Sequence, residues 1–276
     1  MGLVVTDIKP HIGARVDVER RALLDDDVIA QCLDLLERRG VLVFPRIGLS
    51  DEEQLAFTDR LGARSDFTRL EGVSDDGIYR VSLDPRENAH TEYVQATFFW
   101  HMDGLTADVI PPKATLLSAR RVAAKGGQTE FANTYAAYAS LSDEDRADIE
   151  GLRAFHGLQA SMPLVIDEPT EAHRELWRQT ARDYPLVWRH RSGRRSLVLG
   201  STAEYVVGMP KPNGRALLQR LLEWTVQPDF SYRHQWRVGD LVIWDNCGTL
   251  HRVFPYAADS GRLMHRTSIE GAEPFE

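Results

Sequence analysis

The residues Phe98-Phe99-Trp100-His101-Met102-Asp103-Gly104 set an imidazole and a carboxylate two positions apart inside an aromatic run. Aromatic residues favour strands, and in a strand residues i and i+2 point to the same face. This reading puts His101 and Asp103 side by side, with Met102 turned away. A nitrogen and a hard oxygen together suit a divalent metal. A third ligand from a facing strand would complete the two-His-one-carboxylate set that leaves one side of a non-haem Fe(II) open to other molecules. H-x-D alone is a weak signal, and its bland reading is a half-exposed strand whose histidine is satisfied by the acid beside it.

The second stretch that could do chemistry is Trp244-Asp245-Asn246-Cys247-Gly248-Thr249-Leu250-His251-Arg252. Here a buried strand ends in Asp-Asn, turns through Gly248 and presents His251. Arg262 stands eleven residues on and Arg266 four beyond it. In a strand Arg262, Met264 and Arg266 would share one face. Two guanidiniums on one face repel unless anions sit between or beside them, and Arg is the residue suited to gripping a carboxylate through two parallel hydrogen bonds. The plainer alternatives are a turn histidine and a solvated edge of arginines.

Elements that could carry these groups are legible along the chain. Asp25 to Arg39 has helical apolar spacing, stopped by Gly40. Val41 to Phe44 is a short buried strand, and Ser50 with Glu53 forms a capping box for a helix ending at Gly62. Ile78 to Val81 reads as a strand, and Asp84 to Gln95 as an exposed loop, either a lid over the site or a surface connection. Strands are expected at Ala114 to Ala119, from Thr129, around His156, and at Leu186 to His190, Ser196 to Leu199, Ser231 to Trp236, Leu241 to Trp244 and Arg262 to Ile269. Ser142 opens a helix, residues 170 to 183 look helical and charged, and Asn213 caps a helix through Trp224. Many short strands with helices outside suggest a mainly β jelly-roll barrel formed by residues 1–276 as one domain.

Composition narrows the function. A formal net charge of −8 argues against a nucleic-acid partner, which needs a concentrated basic surface. There is no apolar run long enough for a membrane span, and the N-terminus lacks signal-peptide features. Cys32 and Cys247 lie far apart and suggest no disulfide framework, which fits a reducing, cytoplasmic setting.

Taken together, H-x-D, then W-D-N-x-x-x-x-H, then R-x-x-x-R resembles the taurine dioxygenase (TauD/TfdA) family of Fe(II)- and 2-oxoglutarate-dependent dioxygenases. Counterparts run through nearly the whole chain: Gly13-Ala14-Arg15-Val16, Gly40-Val41-Leu42-Val43-Phe44, Trp100-His101-Met102-Asp103, Gly126-Gly127-Gln128-Thr129 and Arg262-Leu263-Met264-His265-Arg266. The resemblance implies a double-stranded β-helix in which His101, Asp103 and His251 bind Fe(II). It also implies that Arg262 and Thr129 hold the distal carboxylate of 2-oxoglutarate, and that Arg266 holds a substrate anion or supports the co-substrate. Trp100 and Asn246 would pack or orient the ligands. With O2, the implied reaction hydroxylates a substrate C–H and releases succinate and CO2. Asp103 favours hydroxylation, because related halogenases carry a small residue there. The resemblance further implies a homodimer or homotetramer.

Substrate is where the pattern departs. The position of a substrate-contacting histidine falls near Arg69, and an aromatic wall of the taurine pocket falls near Ala203, so taurine itself does not fit well. A small sulfonate, alkyl sulfate or carboxylate is expected, paired with Arg266 and Arg69. Alternatives are a desaturation outcome on the same scaffold, a zinc hydrolase using the same ligands to activate water, and a non-catalytic jelly-roll binding module.

Overall fold

The computed structural model describes residues 3–65, 76–106 and 110–275. Its strands are β1 (Val4–Asp7), β2 (Ala14–Asp17), β3 (Val41–Phe44), β4 (Tyr79–Val81), β5 (Ala114–Arg121), β6 (Thr129–Asn133), β7 (Arg153–His156), β8 (Arg182–Pro185), β9 (Val187–Arg189), β10 (Arg195–Leu197), β11 (Ala203–Val206), β12 (Ser231–His234), β13 (Leu241–Asp245), β14 (Thr249–Val253) and β15 (Leu263–Ile269). Its α-helices are α1 (Asp26–Arg39), α2 (Asp51–Leu61), α3 (Thr91–Ala96), α4 (Thr134–Ala139), α5 (Asp143–Ile149), α6 (Leu158–Ser161), α7 (Glu171–Gln179) and α8 (Lys211–Thr225).

Two sheets form the jelly roll. The larger runs β1-β2-β3-β13-β5-β15-β4, and the smaller runs β12-β6-β14. Alternation along the larger sheet sorts its side chains into two cores. Val41, Val43, Leu117, Ala119, Val242, Trp244 and Met264 face inward, where Phe131 and Val253 of the smaller sheet meet them. Leu42, Phe44, Ala114, Leu116, Leu241 and Ile243 face outward, against Val28, Ile29, Cys32, Leu35 and Leu36 of α1 and Phe57 and Leu61 of α2. Both faces of β13 are therefore buried, which is why Leu241 to Trp244 reads as an unbroken apolar run.

Helix ends follow local rules. Gly40 closes α1 in the left-handed region at φ 71°, with its N–H donating to the Leu36 carbonyl. Ser50 and Glu53 cap α2 reciprocally.

Four expectations change. The segment Asp84 to Gln95 is not an exposed loop throughout. Thr91–Ala96 forms α3, whose Val94 is buried in the inner core, and Asn88 is buried, donating to the Tyr79 hydroxyl at 3.0 Å and the Arg80 carbonyl at 2.8 Å. The helix expected over 170 to 183 ends at Gln179, because residues from Arg182 pair with β7 instead. Helix α8 starts at Lys211 after Pro210 rather than at Asn213, with Pro212 tolerated in a first turn that needs no amide hydrogen. The last strand starts at Leu263, and a register shift between Leu263 and Met264 leaves Arg262 outside its regular alternation.

Candidate active site

His101 and Asp103 reach the same place as the strand argument expected, but by other means. His101 is a single bridge residue and Asp103 lies in a turn. The bridge partner is His251, which sits on β14 rather than in a turn. Thr249, Leu250 and His251 pair with Asn133, Ala132 and Phe131 of β6, so the register aims His251 inward. Its ring lies 4.7 Å from the Trp244 ring and stacks on Phe131 at 6.2 Å. Gly248 makes the preceding turn possible: a Cβ there would stand 1.8 Å from the Tyr135 ring.

The three side chains converge. Nε2 of His101 and Nε2 of His251 each lie 3.7 Å from Asp103 Oδ1, and the two imidazole centroids are 4.1 Å apart. One ligand atom from each residue falls within 4.8 Å of the others. His101 Nδ1 lies 2.9 Å from the Phe99 carbonyl. A carbonyl only accepts, so Nδ1 carries the hydrogen and Nε2 keeps its lone pair for a metal.

Electrostatics prepare the same state. Burial pulls the His251 pKa down to about 3, with His101 and Arg266 adding to the effect and Asp103 opposing it. Burial also lowers His101, against the attraction of Asp103 and the Phe99 carbonyl. For Asp103, burial works against the charge, but the pKa is held below its ordinary value by either histidine when that ring is protonated, by the Arg266 charge and by the Thr115 hydroxyl. Two neutral imidazoles and one ionised carboxylate are the forms that ligate a divalent cation.

Arg262 is 2% exposed and fully inside the protein. Its Nη1 donates weakly to the Tyr256 hydroxyl at 3.5 Å, the guanidinium lies 4.7 Å from the Tyr256 ring centre, and Nη2 is buried without a partner. Among the described residues no carboxylate pairs with it. A buried, charged fork without its anion fits an incoming carboxylate, as a 2-oxoglutarate site requires. Gly127 gives the arginine room, since a Cβ there would meet its Cδ and Nε at 3.1 Å. Thr129 is 1% exposed, and its hydroxyl accepts from the Trp236 indole at 2.9 Å, which leaves its own hydrogen to donate.

Arg266 lies on β15 opposite Leu117, 4.5 Å over the Tyr79 ring, and its charge is felt by all three of His101, Asp103 and His251. Ala203 is half-buried on β11 and lines a cavity of about 470 Å³ with Gln159, Ser201 and Arg215. None of the residues lining that cavity is a ligand of the triad, but Gly200 among them abuts it: a Cβ there would stand 3.1 Å from the His101 Cα. Arg69 lies outside the described residues. Trp100 packs into the core beside Met102 and Leu105, with Arg252 4.9 Å from its ring. Thr115, which touches Asp103, carried no sequence signal: a threonine in an apolar strand is an ordinary β-former.

The pattern of matches to known proteins agrees with this geometry. Residues 5–268 match the taurine catabolism dioxygenase TauD, TfdA family. The chain belongs to that family. An alpha-ketoglutarate-dependent 2,4-dichlorophenoxyacetate dioxygenase of Cupriavidus pinatubonensis is 34% identical, over 99% of this chain and 99% of its own. An (S)-phenoxypropionate/alpha-ketoglutarate-dioxygenase of Sphingobium herbicidovorans is 33% identical, over 96% and 95%. The crystal structure of AAD-2 in complex with Mn(II) and N-oxalylglycine superposes with a TM-score of 0.83 at 32% identity, covering 99% of both chains. The TauD/TfdA member described here is accordingly an Fe(II)- and 2-oxoglutarate-dependent dioxygenase, an oxidoreductase that consumes O2. No described helix is long and apolar enough to cross a membrane.

Proposed function

We propose that this dioxygenase oxidises a small carboxylate whose reacting carbon carries an aryl ether oxygen. The observation that carries the proposal is the place of Arg266 on β15, opposite Leu117 and on the inward face that Met264 shares, with its guanidinium 4.5 Å over the Tyr79 ring. A substrate carboxylate paired with it is anchored beside the triad. The two relatives named for phenoxyacetate and phenoxypropionate point to the same class.

In this reading His101, Asp103 and His251 hold Fe(II), and Arg262 with Thr129 grips the far carboxylate of 2-oxoglutarate. Arg266 takes the substrate anion, with Arg69 proposed as a second cation for it and Ala203 as the small residue that enlarges the pocket. Bound Fe(II) supplies the oxidising chemistry, in which 2-oxoglutarate and O2 give succinate and CO2 and one oxygen atom enters the substrate C–H. The chain's own contribution is placement. Arg262 and Arg266 fix two carboxylates, and the aromatic walls at Phe98, Tyr256 and Trp244 keep water away. Hydroxylation of a carbon that already bears an aryloxy group gives a hemiacetal or hemiketal, which breaks into a phenol and a 2-oxo acid.

The test is aerobic turnover of the Fe(II)-loaded protein with 2-oxoglutarate and phenoxyacetate, each enantiomer of 2-phenoxypropionate, taurine or hexyl sulfate. The expected result is phenol formed in step with succinate from an aryloxy acid. Turnover confined to taurine or hexyl sulfate, or an unsaturated product that keeps its ether bond, would overturn the substrate class.

The proposal also takes residues 1–276 as one domain, supported by a single sheet whose strands span Val4–Asp7 to Leu263–Ile269. It places a homodimer or homotetramer in the cytoplasm, where the two free, buried cysteines suit a reducing setting. Light scattering gives the assembly mass.

A further inference from the structure

We infer that Thr115 and Asn246 are positioning residues that decide which oxygen of Asp103 faces the metal. The inference rests on the reading of His101, Asp103 and His251 as the metal-holding set. Thr115 lies on β5 between Ala114 and Leu116, whose side chains pack outward, so its own side chain points inward with Leu117 and Ala119. There Thr115 Oγ1 lies 2.8 Å from Asp103 Oδ2 and 2.9 Å from Asn246 Nδ2.

The direction of this chain follows from donor counting. An ionised carboxylate can only accept, and a hydroxyl has one hydrogen to give. Thr115 must spend that hydrogen on Asp103, so its contact with Asn246 has to be an acceptance from the amide NH2. The opposite amide orientation would ask one hydroxyl for two hydrogens. Asn246 therefore donates to Thr115, and Thr115 donates to Asp103.

The consequence lies in the carboxylate. Oδ2 is committed to Thr115, while Oδ1 is the oxygen 3.7 Å from Nε2 of both histidines. An aspartate with one oxygen committed offers a metal one donor atom and leaves more of the coordination sphere for a keto acid. The arrangement is built into the fold. Thr115 and Asn246 are fully buried, and Asp103 is 8% exposed. The Asn246 backbone N–H donates to the Lys113 carbonyl at 2.9 Å, immediately after Asp245 pairs with Ala114, so strand register sets the amide beside Thr115.

The test is Mn(II) binding to the metal-free protein, read from the electron paramagnetic resonance signal of free Mn(II), in wild type and four variants. Thr115→Val keeps the shape and removes the hydrogen, and is expected to weaken Mn(II) binding about tenfold or more. Thr115→Ser restores the hydrogen and should bind close to wild type. Asn246→Ala removes the group that aims the hydroxyl and should give an intermediate loss, which serves if Thr115→Val does not fold. Asp103→Ala should lose binding. Wild-type affinity in Thr115→Val (or in Asn246→Ala, where only that variant folds), beside a loss in Asp103→Ala, overturns this inference and leaves the metal site standing. Equal losses in Thr115→Ser and Thr115→Val would assign the effect to packing and also overturn it. Wild-type affinity in Asp103→Ala would overturn the metal-site reading beneath it.

Discussion

His101 and His251 face each other across a single antiparallel bridge, each backbone N–H donating to the other's carbonyl at 2.9 Å. Two histidines separated by most of the barrel's sequence are thus tied by their main chains. Their approach does not depend on a metal drawing them together. Chelation should consequently remove activity while leaving the fold, and added Fe(II) should restore it. Binding only to the folded state at a hundredfold excess over Kd contributes about 2.7 kcal/mol. At this chain length that predicts a melting temperature lowered by roughly 5 °C on chelation. A melt unchanged by chelator, with full activity kept, would contradict it.

Arg262 offers a second test. Its buried Nη2 lacks a partner, so an incoming carboxylate gains a charge-assisted bond that a truncated side chain cannot replace. Arg262→Ala should raise the 2-oxoglutarate concentration needed for half-maximal succinate release by about tenfold or more, given about 1.5–3 kcal/mol for such a bond. Arg262→Lys should recover little, because an ammonium lacks the planar fork. An unchanged requirement would move the co-substrate role elsewhere, with Arg266 the next residue to vary.

Gly248→Ala should cost stability without touching a proposed ligand. The added Cβ would stand 1.8 Å from the Tyr135 ring, and the turn leading into His251 would have to shift. Overpacking of this kind costs about 1–3 kcal/mol. Differential scanning calorimetry should show a lower melting temperature together with weaker metal binding. A wild-type melt would mean that Tyr135 yields freely.

His156 sets a pH dependence away from the triad. Its ring is fully buried on β7 with Nδ1 2.9 Å from the Thr202 hydroxyl, and burial pulls its pKa from 6.5 down to about 3. Between those values the unfolded chain binds a proton on this ring and the folded chain does not. Its contribution is therefore intact above about pH 6.5 and is lost as the pH falls towards 3, at up to about 1.4 kcal/mol per pH unit. His156→Asn, which can still partner Thr202, should flatten the acid side of the denaturation curve. An equal slope in both proteins would remove His156 from the account.

Much of the frame was legible because apolar runs and helix caps are local. The buried strands at Val41 to Phe44 and Leu241 to Trp244, the Gly40 stop and the Ser50–Glu53 box all follow from neighbours in sequence. The juxtaposition of His101 and Asp103 was reached through a strand that is not there. A bridge and a turn bring them together, held by contacts to His251, far off in the chain, and to Thr115, which stands twelve residues after Asp103 with no pattern linking the two. Helix α4 and strands β11 and β14 are too short to show a period, and β14 forms by pairing with β6. The bulge that takes Arg262 out of the face of Met264 and Arg266 left no mark in its own residues.

The most direct test of the site is anaerobic titration of the Fe(II)-loaded protein with 2-oxoglutarate, in wild type and Asp103→Ala, watched for the weak visible charge-transfer band of a chelated keto acid. The proposed triad predicts a saturable band in wild type that Asp103→Ala loses. No band in a protein that binds zinc tightly, or an equal band in Asp103→Ala, would contradict the assignment of His101, Asp103 and His251.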